Sequence, residues 1–506
     1  WAAKSIIQGR LEIRRTPLDI PIALFLISQI ISTILSIDPH VSLWGYYSRF
    51  NGGLLSTMAY IILYYAFASN LIHKTEDGEF KQKPISYKLL VISLISGLGV
   101  TLWGIPSHFG YDLTCLVFRG GLNTSCWTEA FQPTVRICSP LGQPNWLGTY
   151  LAALIPISLS FGLFKLKENR NKLFTIYYLL FTILFYVGLL WTRSQSSFLG
   201  LGIGLAVFFG LLILKNLDEL KEKLVENNLA KYLIGSILIF AIATFFIGTP
   251  IESLNKYTTL SGIQNLSKSN APREARSASG GKSEGLGGTS NVQLGGTESS
   301  KIRLIVWQGA IELFARNPLF GTGVETYAYT YYNVKPLAHN LTSEWDYLYN
   351  KAHNEYLNYL ATTGIFGLAS YLLLIVFFLY HAAKKILGGK TPYLTILIGI
   401  LGGYLAVALS NFFGFSVVVL NLFLFMLPVF FFDLAQNKTL SSSKTITFWK
   451  EAGNKITPPK ASLIIAITLV ALYLEFYLLN FWNADRKYAL GYNLNKAGEY
   501  VQAYTH

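Results

Sequence analysis

The chain has 506 residues, 52% of them hydrophobic, 15% aromatic and only 13% charged, with a formal net charge of +14. A soluble domain carries roughly a quarter charged residues, so this composition excludes an ordinary water-soluble globular protein. It also speaks against nucleic-acid binding, because the cations are scattered over short connections rather than gathered on one face.

In chain order, apolar runs long enough to cross a bilayer as helices fall at 19–37, 52–72, 88–104, 146–164, 173–191, 198–214, 232–248, 365–382, 391–410, 416–433 and 461–481. Polarity does not alternate at period two, which argues against a β-barrel. The expected fold class is all-α: a polytopic integral membrane protein with about eleven transmembrane helices and a large extracytoplasmic loop. The expected parts are N-terminal transmembrane helices over 1–248, the loop over 249–364, C-terminal transmembrane helices over 365–481 and a tail over 482–506. With residues 1–18 placed in the cytoplasm, the cytoplasmic connections hold 24 of the 41 Lys and Arg residues, and the short outer connections are nearly free of them. That asymmetry is the usual orientation signal. The chain begins at Trp1 with no signal-peptide pattern and stops at His506 inside what reads as a helical hairpin, so a longer protein is expected.

The outer segment 105–145 holds all three cysteines, Cys115, Cys126 and Cys138. Their spacing is too wide and even for a zinc knuckle. One disulfide plus one thiol, or three free thiols, both remain open. The stretch 434–460 is polar and reads as a cytoplasmic linker.

The loop 249–364 is far longer than an ordinary connection. Residues 267–300 are rich in Gly and Ser and are expected to be flexible. Residues 301–316 read as an amphipathic helix with Ile302, Ile305, Val306, Gly309 and Leu313 on one face. Asn317-Pro318 stops it, and Gly321-Thr322-Gly323 turns the chain. An aromatic-rich stretch follows, from Tyr327 to Tyr349 and including Trp345; stacking on sugar faces and packing of the loop are both open, with packing expected for most of these rings. The tail from Ala484 to Ala503 has small and aromatic residues at tetratricopeptide-like spacing, which offers a docking unit for a protein partner, or is an ordinary amphipathic helix.

The residues with chemical potential sit at the outer edges of the spans. His353-Asn354 lies where the loop enters the span at 365, followed nine residues on by Gly364-Ile365-Phe366-Gly367. The two glycines are expected to let that helix pack closely against a neighbour. Arg193 occupies the tight outer link Trp191-Thr192-Arg193-Ser194, a place where arginine is disfavoured; snorkelling to headgroups and facing a phosphate as a fixed cation are both open. Arg303 stands near the positive end of the loop helix, where a bound anion would relieve an unfavourable position. One histidine and two arginines on one face suit transfer of a sugar from a lipid diphosphate. The arginines neutralise the departing diphosphate, and the histidine, kept neutral by its cationic neighbours, takes the proton of the acceptor hydroxyl. No acidic cluster with metal-ligand spacing stands out, so no metal or other cofactor is expected.

These residues carry a resemblance. His353-Asn354-x9-Gly364-x-x-Gly367 resembles, without a gap, the signature H-[NSQ]-x9-G-x-x-G of the bacterial O-antigen ligase and O-antigen polymerase superfamily. Arg193-Ser194 resembles the family arginine between two spans. Arg303 and Trp307 before Asn317-Pro318-Leu319-Phe320-Gly321-Thr322-Gly323 resemble its second arginine region, and Gly142-Gln143-Pro144-Asn145-Trp146 resembles another recurring segment. Tyr46-Tyr47-Ser48-Arg49-Phe50-Asn51-Gly52-Gly53 marks the beginning of the similar region. The resemblance implies an inverting, metal-independent glycosyltransferase in the bacterial cytoplasmic membrane, with its active site facing the periplasm or cell exterior. It implies an undecaprenyl-pyrophosphate-linked glycan as donor, and a glycan, lipid or protein hydroxyl as acceptor. His353 would then be the base, with Arg193 and Arg303 as diphosphate binders; Arg49, Asn145, His339 and Lys351 are further substrate-binding candidates. Two rival classes are a lipid-linked-glycan transporter or flippase, which would carry paired ionisable groups at midplane, and a membrane-anchored assembly scaffold that uses its tail.

Overall fold

The computed structural model describes residues 1–46, 51–71, 84–127, 132–168, 172–217, 228–269, 299–389, 391–435, 443–449, 456–496 and 498–505. The chain divides into two compact units, one formed by Thr16–Leu440 and the other by Trp1–Arg15 with Ser441–His506.

Ten long apolar or amphipathic helices and one loop helix build the larger unit. They are α1 (Asp19–Ile34), α2 (Leu54–Leu71), α3 (Ile85–His108), α4 (Pro144–Glu168), α5 (Lys172–Thr192), α6 (Gln195–Lys215), α7 (Asn228–Ile247), the loop helix α8 (Ser299–Arg316), α9 (Glu355–Gly388), α10 (Leu394–Ser410) and α11 (Val418–Leu434). With the tail helix described below, every expected span has a helix. Eight of these helices are long and apolar enough to cross a membrane, and α1, α10 and α11 are shorter. The protein is an all-α polytopic membrane protein, as its composition requires.

Helix α4 is the axis of the bundle and is buried along its apolar length. Helices α5, α6 and α10 pack on it. Close approach of α6 and α10 rests on small residues: a Cβ on Gly204 would lie 2.5 Å from the Gly402 carbonyl oxygen. Lipid gives helices no hydrophobic reason to associate, so such contacts supply the packing instead.

The bundle has two chemically different ends. At one end Ser410 Oγ, closing α10, donates to the Ser196 carbonyl opening α6 (3.3 Å), and the Glu355 amide opening α9 donates to the Asn411 carbonyl (2.9 Å). At the opposite end Lys215 Nζ, closing α6, donates to the Leu387 carbonyl near the end of α9. Arg193 and His353 therefore share one end, and Lys215 with Lys384 and Lys385 marks the other.

Helix α9 is broken at Gly364 (φ 67°, ψ −166°). The segment 318–323 lies along the break. Thr322 and Gly323 amides donate to the Ala361 and Thr362 carbonyls (3.3 and 2.9 Å), and Ile365 and Phe366 amides donate to the Pro318 and Leu319 carbonyls (2.9 and 3.3 Å). A Cβ on Gly364 would sit 2.3 Å from the Leu319 carbonyl carbon, and one on Gly321 2.2 Å from that of Thr362. Only glycine tolerates both this backbone and this approach. The glycine motif thus acts differently from the helix–helix contact expected: Gly364 seats the loop's Asn317–Gly323 segment in the helix break. The nearest atom to a Cβ on Gly367 is Thr363 Oγ1 of its own helix.

The long loop has its own small core of Ile302, Val306, Ala310 and Leu313 from α8 with Tyr327, Tyr331, Tyr349 and Ala352. The amphipathic reading of α8 is seen in that face. Of the insert expected over 267–300, residues 267–269 close a helix at Leu260–Ser269 and 299–300 open α8; positions 270–298 lie outside the described residues.

In the smaller unit, Arg10–Arg14 (β1) and Ser443–Thr447 (β2) pair antiparallel. The linker reading of 434–460 missed β2, whose Thr445, Ile446 and Thr447 are β-branched and favour an extended pair. Helix α12 (Pro458–Lys496) runs without interruption through the expected tail boundary at 482. Gly498 (φ 80°) then turns the chain into a short helix at Tyr500–Tyr504.

Candidate functional site

Arg193 and His353 are built in the same way. Arg193 has a left-handed backbone (φ 49°) and precedes Ser194, whose side chain caps α6 by accepting from the Ser197 amide. His353 also has a left-handed backbone (φ 54°) and precedes Asn354, whose Oδ1 accepts from the Leu357 amide to cap α9 (3.1 Å). A left-handed conformation costs a residue with a Cβ about 1–2 kcal/mol. Here it throws each side chain out of line immediately before a helix starts. The residue after each functional one is a capping type because it must satisfy the helix's orphan amides. Both helices also bring their positive ends to this place, which favours an anion.

Arg193 and Arg303 line one cavity of about 420 Å³, together with Asn145, Gln195, Ser196, Trp307 and Phe413 among others. A third arginine, Arg136, lines it too. Arg136 Nε donates to the Thr192 carbonyl (2.9 Å) and Nη2 to Asn145 Oδ1 (3.0 Å), so it braces the link that carries Arg193. Arg303 Nη1 donates to the Phe413 carbonyl (3.2 Å). Among the described residues no carboxylate forms an ion pair with any of the three. Burial pulls the Arg136 and Arg303 guanidiniums below their ordinary pKa, and Arg303 and Arg193 push Arg136 further the same way. Arginine stays protonated regardless; the Glu344 charge acts the other way on Arg303 without forming an ion pair with it. The Trp307 indole Nε1 is also buried with no partner.

His353 lies in an adjoining crevice of about 10 Å³ that shares Asn145 and Ser196 with the arginine cavity. Its ring packs edge-on against Phe415 and Tyr349, with centroids 5.4 Å away in each case. His353 Nδ1 lies 3.2 Å from the Lys351 carbonyl oxygen.

The remaining candidates fall in three places. Asn145 stands where cavity and crevice meet. His339 is fully buried in the outer-loop core, with Nδ1 2.8 Å from the Tyr331 hydroxyl, and lines neither space. Lys351 is ion-paired with Glu325, and both side chains are largely buried. Arg49 lies outside the described residues. Of the loop aromatics, Tyr327, Tyr331 and Tyr349 are buried, whereas Tyr329, Tyr332, Trp345 and Tyr347 are exposed.

The sequence reading missed Arg136. The signal was present: it is an arginine in an outer connection, seven residues before Gln143-Pro144-Asn145. Of the two cysteine alternatives, the structure has one disulfide, Cys115–Cys126, and one free thiol, Cys138. Cys138 is buried, which pushes its pKa up to about 11 and makes it a poor nucleophile. Asp112, Cys115 and Cys126 cluster with metal-ligand proximity, but the disulfide consumes both thiols, and Asp112 is engaged by the Thr114 and Cys115 amides and the Trp127 indole.

Residues 179–372 match the O-antigen ligase family, a stretch that includes Arg193, Arg303 and His353. That match supports the O-antigen ligase/polymerase superfamily and a ligase- or polymerase-like glycosyltransferase role in a bacterial membrane. No curated protein matches the chain.

Proposed function

We propose that the protein transfers an oligosaccharide or repeat unit from undecaprenyl pyrophosphate to an acceptor hydroxyl, with inversion, on the outer face of the cytoplasmic membrane. The observation that carries this reading is a cavity with three arginines and, among the described residues, no carboxylate paired with them, adjoining the crevice of a histidine. A diphosphate diester is the anion such a cavity suits. As the anomeric C–O bond breaks, its electron pair passes to the diphosphate, whose charge grows, and Arg136, Arg193 and Arg303 stabilise that growth. The arginines do without a divalent cation what a metal does elsewhere.

His353 is the base. Its Nδ1 sits 3.2 Å from the Lys351 carbonyl oxygen, which orients the imidazole that takes the acceptor proton. Attack from the histidine side, opposite the diphosphate, gives inversion. Two observations support the outer face: the lysines at the far end of the bundle, where the cytoplasmic rule would place them, and a disulfide in the loop that carries Arg136, since disulfides persist in oxidising compartments. The acceptor is a glycan, lipid or protein hydroxyl, and the tail helices are the proposed docking unit for a protein partner. The expected division at 1–248, 249–364 and 365–481 then has a simple sense: two helical halves hold the donor, and the loop between them carries Arg303 and His353.

Glycan analysis of a deletion strain complemented with wild type, Arg193→Ala, Arg303→Ala or His353→Ala tests the reading. Loss of long glycans with accumulation of lipid-linked donor is expected for each variant. Normal glycans in all three at equal protein level would overturn it, and a flippase would be the better reading if the donor instead stayed on the inner leaflet.

A further inference from the structure

The turn between α10 and α11 touches both halves of the site. Its Phe413 carbonyl accepts from Arg303, and the Phe413 side chain lines the arginine cavity. Two residues on, Phe415 is buried with its ring edge-on to His353 and 6.3 Å from the Trp146 ring. The turn is a unit: Phe413 N donates to the Ser410 carbonyl (3.1 Å), and Asn411 Nδ2 donates to Ser416 Oγ (2.8 Å). The two spaces differ greatly in size. About 420 Å³ accommodates a diphosphate, whereas the 10 Å³ beside His353 is at the lower limit for a single water and excludes a sugar.

We propose that the 411–416 turn is a latch that makes Phe415 a specificity-determining residue: it covers His353 until an anionic diphosphate draws Arg303 from the Phe413 carbonyl. This rests on the donor reading above. A phosphate oxygen is a charged acceptor and holds a guanidinium more strongly than a neutral carbonyl does. Once Arg303 turns to the diphosphate, the turn loses that hydrogen bond to α8 and keeps the Trp307 ring contacts with Phe412 and Phe413, about which the turn pivots to carry Phe415 off the imidazole. The acceptor then meets an activated base only when a donor is in place.

The test is labelling of the full-length protein with diethyl pyrocarbonate, read at the His353 peptide, with inorganic pyrophosphate as the probe. Wild type is expected to react slowly, and roughly tenfold faster with pyrophosphate, the ratio that a latch closed about nine-tenths of the time produces. Phe415→Ala, and Phe415→Leu as a milder variant that keeps the core filled, are expected to react fast without pyrophosphate. Arg303→Ala is expected to react fast and to ignore pyrophosphate. A wild-type rate indifferent to pyrophosphate, or variants that label like wild type, would overturn the latch. Those outcomes alongside normal glycan transfer would leave the donor reading standing; a working latch without any use of a polyprenyl diphosphate would instead sink the donor reading alone.

Discussion

The three arginines of the cavity and the basic residues of the outer-loop core make an instructive pair. Arg136, Arg193 and Arg303 face a space that holds no paired carboxylate among the described residues. Lys351 is closed against Glu325 and His339 Nδ1 against Tyr331, and neither residue lines the cavity or the crevice. All but Arg136 are candidates for substrate binding on sequence grounds, yet counter-charge separates them. A buried cation whose partner is already in the chain serves the fold. Arg136 and Arg303 are half-buried and Arg193 is exposed, so the three are open to the cavity rather than closed on a chain partner.

The comparison can be broken by substitution. The largest effect is expected at His353, which belongs with the cavity: His353→Ala should lower transfer by roughly 10²–10⁴-fold while leaving donor binding and thermal stability near wild type, as steady-state and binding measurements would show. Each of Arg136→Lys, Arg193→Lys and Arg303→Lys should cost roughly 10²-fold in transfer, because an ammonium cannot reproduce the guanidinium fork; near-normal rates in the lysine variants would show that charge alone matters. On the other side, Lys351→Met should destabilise the protein by about 3–5 kcal/mol by leaving Glu325 buried without its partner. The double variant with Glu325→Gln should recover most of that loss in a detergent unfolding experiment. Recovery of stability without change in donor affinity would confirm Lys351 as structural; a loss of donor affinity would return it to the site.

The smallest effect concerns His339. Burial, then the neighbouring Lys335 charge, holds its pKa below the ordinary 6.5. The unfolded chain therefore takes up this proton first as pH falls, and stability must drop. The contribution is complete above about pH 6.5 and is lost as pH falls through the folded-state value. Limited proteolysis of the outer loop at successive pH values should show growing susceptibility below that point, and His339→Phe should flatten the dependence.

Much of this was legible in the sequence because lipid imposes simple rules. Every apolar stretch from 19–37 to 461–481 became a helix, since length and composition alone decide that. That Arg193, Arg303 and His353 lie close together at one end of the bundle was legible because polar residues at span edges are few. Arg136 was not, because it sits in an irregular Cys- and Pro-containing loop where no periodicity locates it; only the cavity shows that it shares space with the other two. His339 and Lys351 looked similar to the arginines because sequence does not show where Tyr331 and Glu325 come from. The β1–β2 pair was missed since its strands are more than four hundred residues apart in the chain. The glycine at 364 was read as a packing device because its position in an apolar run suggested a continuous helix. Its partner, the 318–323 segment, is a long-range contact that no local pattern announces.

One measurement bears most directly on the site. Purified protein in vesicles, given a polyprenyl-diphosphate oligosaccharide, should bind the donor and release a polyprenyl diphosphate only when an acceptor hydroxyl is supplied. His353→Ala should bind the donor equally well and release nothing, and an Arg193→Ala, Arg303→Ala double variant should fail to bind it. Donor binding that survives loss of both arginines, or release that survives loss of the imidazole, would contradict a shared arginine–histidine site.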